Sequence, residues 1–533
     1  MRRAEAELLA AAPLADAPRK LRVGLFADAP HQPKWLTDAF ARVAASDFAS
    51  VVALGVADAR GERLPRLLEA YRSLDRLAFG AEPSQPLELA RQVAHERLIR
   101  SFSAPELRAL DLDVCFAVGA FDDRLLDGVA RYGVWRFRFG AEGTESEALA
   151  GFAELAREEP ATASGVQVRL APGAPPRVVS ESWSRTYPFS LARTRERFLE
   201  KTGELACRAL REVQRSGAAF LERGRPAGAA TAPALAGAGL ARELGALGGR
   251  VLRRALTRAL HIEQWFLAFR FDGAARVAPD LGGFTRLVPP ADRDWADPFP
   301  LERGGRHYVF FEELPYKARK GHISMIELQP DGVWSAPVRV LERDYHLSYP
   351  FLLEHAGALY MIPETAQNRT VEVYRCVEFP LRWRLEATLL DGVRCVDATF
   401  HRAGGRWWMF ANMAAGERGA FDDELHLFHA ERLFGDWQPH ARNPVKSDAR
   451  CARPAGKLYR RDGALYRPAQ VCVPRYGAGL ALHRVRCLTP QEYVEEEAQR
   501  IVPQATDGLL GLHTVNRTGG LTVIDAFARR RRF

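Results

Sequence analysis

From Asp297 onward, hydrophobic and polar positions repeat one phrase five times. A polar or aromatic residue opens a short apolar run, a glycine turn follows, and an aromatic-rich run returns. Asp297-Pro298-Phe299-Pro300 leads through Gly304-Gly305 to Tyr308-Val309-Phe310-Phe311-Glu312-Glu313. Ser348-Tyr349-Pro350-Phe351 leads through Gly357 to Tyr360-Met361-Ile362-Pro363-Glu364, and Asp397-Ala398-Thr399-Phe400 through Gly404-Gly405 to Trp407-Trp408-Met409-Phe410. Arg453-Pro454-Ala455-Gly456 leads through Gly463 to Tyr466-Arg467, and His513-Thr514 through Gly519-Gly520 to Leu521–Asp525. The turn glycines Gly305, Gly357, Gly405, Gly463 and Gly520 recur about every 50 residues, a propeller-blade period. Apolar alternation on both sides of a glycine turn predicts a hairpin, and five such units predict a five-bladed β-propeller. The opening positions Asp297, Tyr349, Asp397, Ala455 and Leu512 (beside His513) keep one offset before the glycine, so they are expected to converge on the central channel.

The earlier chain has a different rhythm. Leu21–Phe26, Phe48–Val56 and Leu112–Gly119 read as buried strands separated by helical stretches such as Trp35–Ala45, which predicts a parallel α/β sheet. Phe26-Ala27-Asp28-Ala29-Pro30 stands where a glycine-rich dinucleotide turn would be, so a standard dinucleotide site is not expected. Leu191–Val213 has an apolar face of Phe198, Leu205, Ala209 and Val213 opposite a charged one and predicts a long helix. Gly224–Gly249 reads as a Gly/Ala-rich linker, Arg253–Leu260 as a short basic helix, and Gln264–Phe271 as an outer strand of the last blade. The expected domains are a disordered leader over 1–20, an α/β domain over 21–220, a linker over 221–260 and a propeller over 261–533.

At 533 residues the chain is long enough for two or three cores. The net charge of +9 permits anionic partners without choosing among them. The Arg529–Arg532 run reads as a disordered solubilising tail, or else as a contact for phosphate or membrane, and nucleic acid is not expected. No apolar run reaches membrane-spanning length, and Met1–Pro18 lacks a signal-peptide core. Seven scattered cysteines form no C-x-x-C pair and read as reduced thiols, which predicts a cytoplasmic protein.

Arg22-Val23-Gly24-Leu25-Phe26, Asp113-Val114 ending in Gly119, and Ala130–Gly140 resemble the N-terminal domain of folate-dependent formyltransferases. That resemblance implies a Rossmann-like domain whose Gly-x-x-Asn-x-His segment aligns on Gly133. Arg136 then stands in the Asn place and Arg138 in the His place, and no Asp occurs near Ala171-Pro172-Gly173. An arginine stays protonated and cannot shuttle a proton as histidine does. Formyl transfer and a folate cofactor are therefore not expected. Arg136 and Arg138 become candidates for a phosphate or carboxylate, or else plain exposed strand-edge side chains.

Trp295–Pro300, Phe310–Glu313, Tyr345–Phe351, Met361–Thr365, Val396–Thr399, Asn443-Pro444-Val445, Arg453–Gly456 and Gly511–Thr514 resemble the N-terminal domain of glucosamine inositolphosphorylceramide transferases. The resemblance implies a propeller like those of arabinanases and invertases, and a role in cell-surface glycan assembly. Glycosidic chemistry requires two carboxyl groups. Asp297 and Asp397 are the axial candidates, and Glu364 and Glu313, like Glu312, are expected farther out at strand ends. The fourth repeat opens Ala452-Arg453-Pro454, with no carboxylate where such glycosidases carry their acid. His346, Ser348, Arg453, Gln470, His513 and Asn516 complete a polar funnel suited to a sugar conjugate with a phosphate-bearing group. A divalent metal on His513 with Asp297 or Asp397 is compatible with the residue types but has no motif behind it. The leading expectation is a carbohydrate-related transferase. Its rivals are a propeller glycoside hydrolase and a non-catalytic glycan-binding scaffold.

Overall fold

In a computed structural model the described residues are 19–57, 64–79, 85–100, 102–141, 143–144, 146–228, 237–271, 281–414, 419–504 and 507–532. The expected leader lies almost entirely outside them. The described residues form two compact units, one of residues 19–253 with Gly419 and one of residues 254–414 and 420–532.

The first unit is built on an eight-stranded mixed sheet. Its strands are β1 (Leu21–Ala27), β2 (Ala49–Val56), β3 (Arg97–Ile99), β4 (Val114–Val118), β5 (Val134–Phe139), β6 (Ala161–Arg169), β7 (Arg177–Arg185) and β8 (Arg225–Pro226), in the order β8-β7-β6-β5-β4-β1-β2-β3. β1 to β5 pair in parallel, whereas β6, β7 and β8 are antiparallel. The purely parallel expectation is corrected accordingly. Continuous apolar runs in β1 and β4 suit strands covered on both faces. One face carries Val23, Leu25, Phe116, Phe137 and the long helix Leu191–Ser216 through Phe198 and Leu205. The other carries Phe26, Cys115, Ala117 and Phe121.

Residues 229–236 of the expected linker lie outside the described part. Gly237–Leu260 is one helix of 24 residues, with Arg253–Leu260 as its last turns. Its Leu240 and Leu247 are buried with Leu68, Phe152, Leu155 and Leu191, so the helix up to Arg253 is a packed element of the first unit, and residues 254–260 belong to the second.

The second unit is a five-bladed propeller. Blade one comprises Arg293–Arg303, Arg306–Pro315, His322–Leu328 and Val338–Leu341; blade two Ser348–His355, Ala358–Glu364, Thr370–Glu378 and Arg382–Asp391. Blade three comprises Cys395–Ala403, Arg406–Met413, Glu424–Ala430 and Gln438–Pro439, and blade four Tyr459–Arg461, Ala464–Val471, Gly479–Leu488 and Tyr493–Ile501. Blade five runs inside to outside as Val515–Thr518, Leu521–Arg531, His261–Phe271 and Thr285–Leu287. His261–Phe271 pairs antiparallel with Leu521–Arg531 along its whole length, so strands from both ends of the unit share one sheet, as expected. Aromatic residues fill the space between neighbouring blades, for example Phe299, Phe310, Tyr349, Phe351, Phe400 and Trp407.

Each of the first three blades opens with a bulge. Register slips between Ala296 and Phe299, Ser348 and Phe351, and Val396 and Thr399. The residue in each slip is left-handed: Asp297 at φ 53°, Tyr349 at 43° and Asp397 at 53°. A side chain there leaves the regular in-out alternation of the strand. Such non-glycine geometry is costly and needs support from its surroundings, and the polar contacts of the axis supply it.

Candidate functional site

Asp297 is 3% exposed, with donors on both oxygens. The Tyr349 N–H donates to Oδ2 at 3.2 Å and the Thr514 hydroxyl to Oδ1 at 2.8 Å. His513 Nε2 lies 3.4 Å from Oδ1. Behind His513 sits Asp525, fully buried. Its Oδ1 accepts the N–H groups of His513 and Thr514, and its Oδ2 accepts that of Asp297, each at 2.9 Å. His513 Nδ1 is 2.7 Å from Asp525 Oδ2, an electrostatic contact off the line of a good hydrogen bond. Burial works against the imidazolium, but Asp525 and Asp297 raise the His513 pKa. Burial, with Asp397 and Asp525 nearby and His513 opposing, raises Asp297 from 3.8 to about 6.

Asp397 is held differently. Arg453 Nε donates to Oδ2 at 2.5 Å and Nη2 to Oδ1 at 3.3 Å, and Gln470 Nε2 adds a bond at 2.9 Å. Arg453 lies over the Tyr476 ring at 4.8 Å, and its Nη2 is 3.9 Å from Glu364 Oε2. Burial, then Asp397, push Glu364 up to about 8, while Arg453 and the Ser348 hydroxyl pull the other way. Glu312 is likewise raised well above its ordinary value, by burial first and then by Asp297 and Glu364. His346 accepts the Gly321 N–H on Nδ1 at 2.9 Å, which leaves Nε2 to carry a proton toward Glu312 Oε1 at 3.3 Å. Burial lowers the His346 pKa, which keeps the ring neutral. The side chains of Glu312, Glu364 and Arg453 are 12–14% exposed, above a floor of Asp297 and Asp397 that is almost closed to water.

The tertiary structure thus brings Asp297, Asp397, Glu364, Arg453, Gln470, Ser348, His346 and His513 into one network. Asn516 is also buried, but it ties blades together: its amide donates to the Pro298 carbonyl and accepts the Lys457 N–H. Glu313 does not join the network. It points to the opposite face from Glu312, where Arg293 (2.7 Å), His322 (3.2 Å) and Ser324 (2.6 Å) hold it. Burial opposes ionisation of Glu313, but these three partners bring its pKa down to about 2. A carboxylate so satisfied is a poor proton donor. The expectation that Glu312 and Glu364 lie away from the axis is corrected by the same alternation.

Arg136 and Arg138 are not exposed edge residues. Arg136 is 9% exposed and binds Asp123 at 2.9 Å and the carbonyls of Gly119 and Phe121; Arg138 is 4% exposed and reaches the Ala141 and Gly228 carbonyls. Internal groups already occupy both guanidiniums, so the expected anion site is withdrawn.

Asp297, His513 and Asp525 bring one ligand atom each within 4.8 Å of one another. Four main-chain N–H groups and a hydroxyl already bond these two carboxylates, so only part of their lone-pair capacity is open to a cation. Asp397, the other expected ligand, is taken by Arg453 and Gln470.

Residues 291–514 match the family model described as glucosamine inositolphosphorylceramide transferase 1, N-terminal. Relatives titled glucosamine inositolphosphorylceramide transferase 1 come from Oryza sativa subsp. japonica, 32% identical over 216 residues, and Arabidopsis thaliana, 32% over 205. These alignments cover 40% and 38% of this chain but only 29% and 27% of the relatives, so the chain spans under a third of their length. Among solved structures, the catalytic domain of Coprinopsis cinerea GH62 alpha-L-arabinofuranosidase has a TM-score of 0.36 at 12% identity, covering 45% of this chain and 93% of its own. The Cellvibrio cellulosa alpha-L-arabinanase complexed with arabinohexaose has 0.31 at 13%, covering 38% and 77%.

Sequence reading placed Glu312 away from the axis and missed Asp525 and Tyr476. A signal existed for the first. Seven residues after the turn glycine the blades carry Glu312, Glu364, Asn412 and Gln470, a polar ring on the second strand. Asp525 breaks that offset, and its role depends on contacts from two blades.

Proposed function

We propose that the propeller funnel binds the sugar portion of a glycoconjugate and supports acid-base chemistry at a glycosidic bond, with glycosyl transfer as the reaction. The observation that carries this reading is a pair of carboxyl groups in one network whose surroundings separate their protonation. Glu364, raised to about 8, is protonated near neutral pH, whereas Asp297, at about 6, is ionised. Divergent pKa values of this kind mark an acid and a base or nucleophile. Glu364 would donate a proton to the leaving oxygen, and Asp297 would act on the anomeric carbon or on an acceptor hydroxyl. Arg453 and Tyr476 would position an anionic, hydroxyl-bearing group. The relatives titled as inositolphosphorylceramide transferases support a glycosylated inositol phosphate as the class of ligand.

A second reading is binding without chemistry. It is favoured by the clamp of Arg453 and Gln470 on Asp397, in a fourth blade whose opening lacks a carboxylate. For the first unit we propose the arrangement of a formyltransferase-type fold, supported by the parallel order β3-β2-β1-β4-β5, without formyl transfer. Arg136 and Arg138 stand in the Asn and His places there.

The test incubates the protein with inositolphosphorylceramide and nucleotide-activated glucosamine, and separately with aryl glycosides. Transfer that falls by about 100-fold or more in both Asp297→Asn and Glu364→Gln supports the proposal. Release of free sugar alone would reassign it to hydrolysis. Binding without turnover, unchanged in Glu364→Gln, would establish the second reading.

A further inference from the structure

Residues 254–260, the last turns of the helix Gly237–Leu260, belong to the propeller unit and end against its last strand, where the Arg532 N–H donates to the Leu260 carbonyl at 3.1 Å. Two leucines one helical turn apart stand in water there: Leu256 is 56% and Leu260 57% exposed. Large aliphatic side chains at that exposure lack a covering group on this surface. Arg258 is exposed on the same last turns; Arg529, Arg530 and Arg531 are exposed on the adjoining strand and Arg532 just after it, with Arg530 donating to Gln264 Oε1 at 2.7 Å. Across that strand Arg531 pairs with His261, Arg530 with Ile262 and Arg529 with Glu263. The one acidic group in these three pairs, Glu263, is already bridged by Arg475 at 3.2 Å, so the patch keeps a positive excess.

We propose that this leucine-arginine patch seats the propeller on an anionic bilayer surface. The two kinds of side chain ask for different things from one partner. Leucines seek an apolar phase, and clustered arginines seek phosphate or carboxylate in the layer just outside it. A headgroup-acyl boundary offers both at the right depth. Guanidinium groups bind lipid phosphates with two parallel N–H donors, which favours arginine over lysine in this role. No described helix is long and apolar enough to cross a membrane, so the contact is peripheral. Two leucines with a handful of arginines give reversible attachment that is sensitive to salt and to lipid charge.

The experiment is co-sedimentation of the full chain with vesicles of phosphatidylcholine alone and with about 30% phosphatidylserine. The patch predicts binding to the anionic vesicles, release on raising salt to about 0.5 M, and little binding to neutral ones. The double variant Leu256→Glu/Leu260→Glu should bind about tenfold or more weakly while its melting temperature stays unchanged, because both positions are exposed. Arg529→Gln/Arg531→Gln should weaken binding with the leucines intact. Failure of the native chain to sediment with anionic vesicles overturns the proposal. So does vesicle binding indifferent to the leucine pair. A native dimer that Leu256→Glu/Leu260→Glu dissociates, with no vesicle binding, would show that a second copy covers the patch.

Discussion

Replacing Asp297 by Asn should stabilise the propeller at high pH while abolishing the chemistry proposed for it. An ordinary Asp carboxyl titrates at 3.8 and this one at about 6, because it is buried, with Asp397 and Asp525 nearby. At about 1.4 kcal/mol per pH unit the gap is worth about 3 kcal/mol. The sign follows from the higher folded-state pKa. The folded protein holds the proton more tightly than the unfolded chain, so stability is greatest below 3.8, falls as pH rises, and carries the full penalty above 6. Asparagine carries no charge at any of these pH values. Its carbonyl can accept the Tyr349 N–H, and its amide can donate to the Thr514 hydroxyl, which rotates to accept. The favourable contact with His513 is lost, at a cost of about 1 kcal/mol. The net expectation is a gain of about 1–2 kcal/mol near pH 8 that vanishes or reverses near pH 4. Denaturant midpoints of the propeller transition, measured for both proteins at the two pH values, give the number. Thermal melting should move by about 2–4 °C per kcal/mol in the same direction. Greater stability with lost function marks a charge kept for its chemistry. A loss of more than about 1 kcal/mol near pH 8 would refute this reasoning and make Asp297 a structural anion.

In blade four, Glu495 accepts two bonds from the fully buried Arg467, at 2.7 and 2.8 Å, and sits 2.5 Å from Lys446. Glu495→Gln should cost about 3–5 kcal/mol in denaturant unfolding, because two cations lose their counter-charge; Arg467→Met added to it should recover much of that loss. A cost below about 1 kcal/mol for the single variant would mean that water reaches this cluster. Gly456 has φ 122°, and a Cβ there would lie 2.1 Å from the Val515 carbonyl oxygen. Gly456→Ala should lower stability by more than about 2 kcal/mol, and an unchanged melting temperature would place this backbone elsewhere.

The propeller was legible in the sequence because its determinants are local and repeated. Alternating apolar positions bury one side of each strand, glycines with positive φ such as Gly305, Gly357, Gly405 and Gly463 turn the hairpins, and the period sets the blade count. The convergence of Asp297, Asp397 and Arg453 followed from that regularity alone. Even the strand closing the ring from the other end could be anticipated, since a propeller must satisfy its last sheet. What sequence could not supply was the direction of each side chain at the axis. Glu312 and Glu313 are neighbours, and only register decides that Glu312 enters the funnel while Glu313 is held by Arg293 and His322. Asp525 meets His513 inside the blade-five hairpin, but it receives the Asp297 N–H only when blade five is laid against blade one. Arg136 and Arg138 looked like free guanidiniums until the sheet buried them against the Gly119, Phe121 and Ala141 carbonyls. The glycines and alanines of Gly224–Gly249 suggested a linker, yet Leu240 and Leu247 found an apolar surface that makes the helix pay. Composition and period fix which strands form. The protonation of Asp297 and Glu364 depends on burial and on charges distant in sequence, so tertiary structure alone decides it.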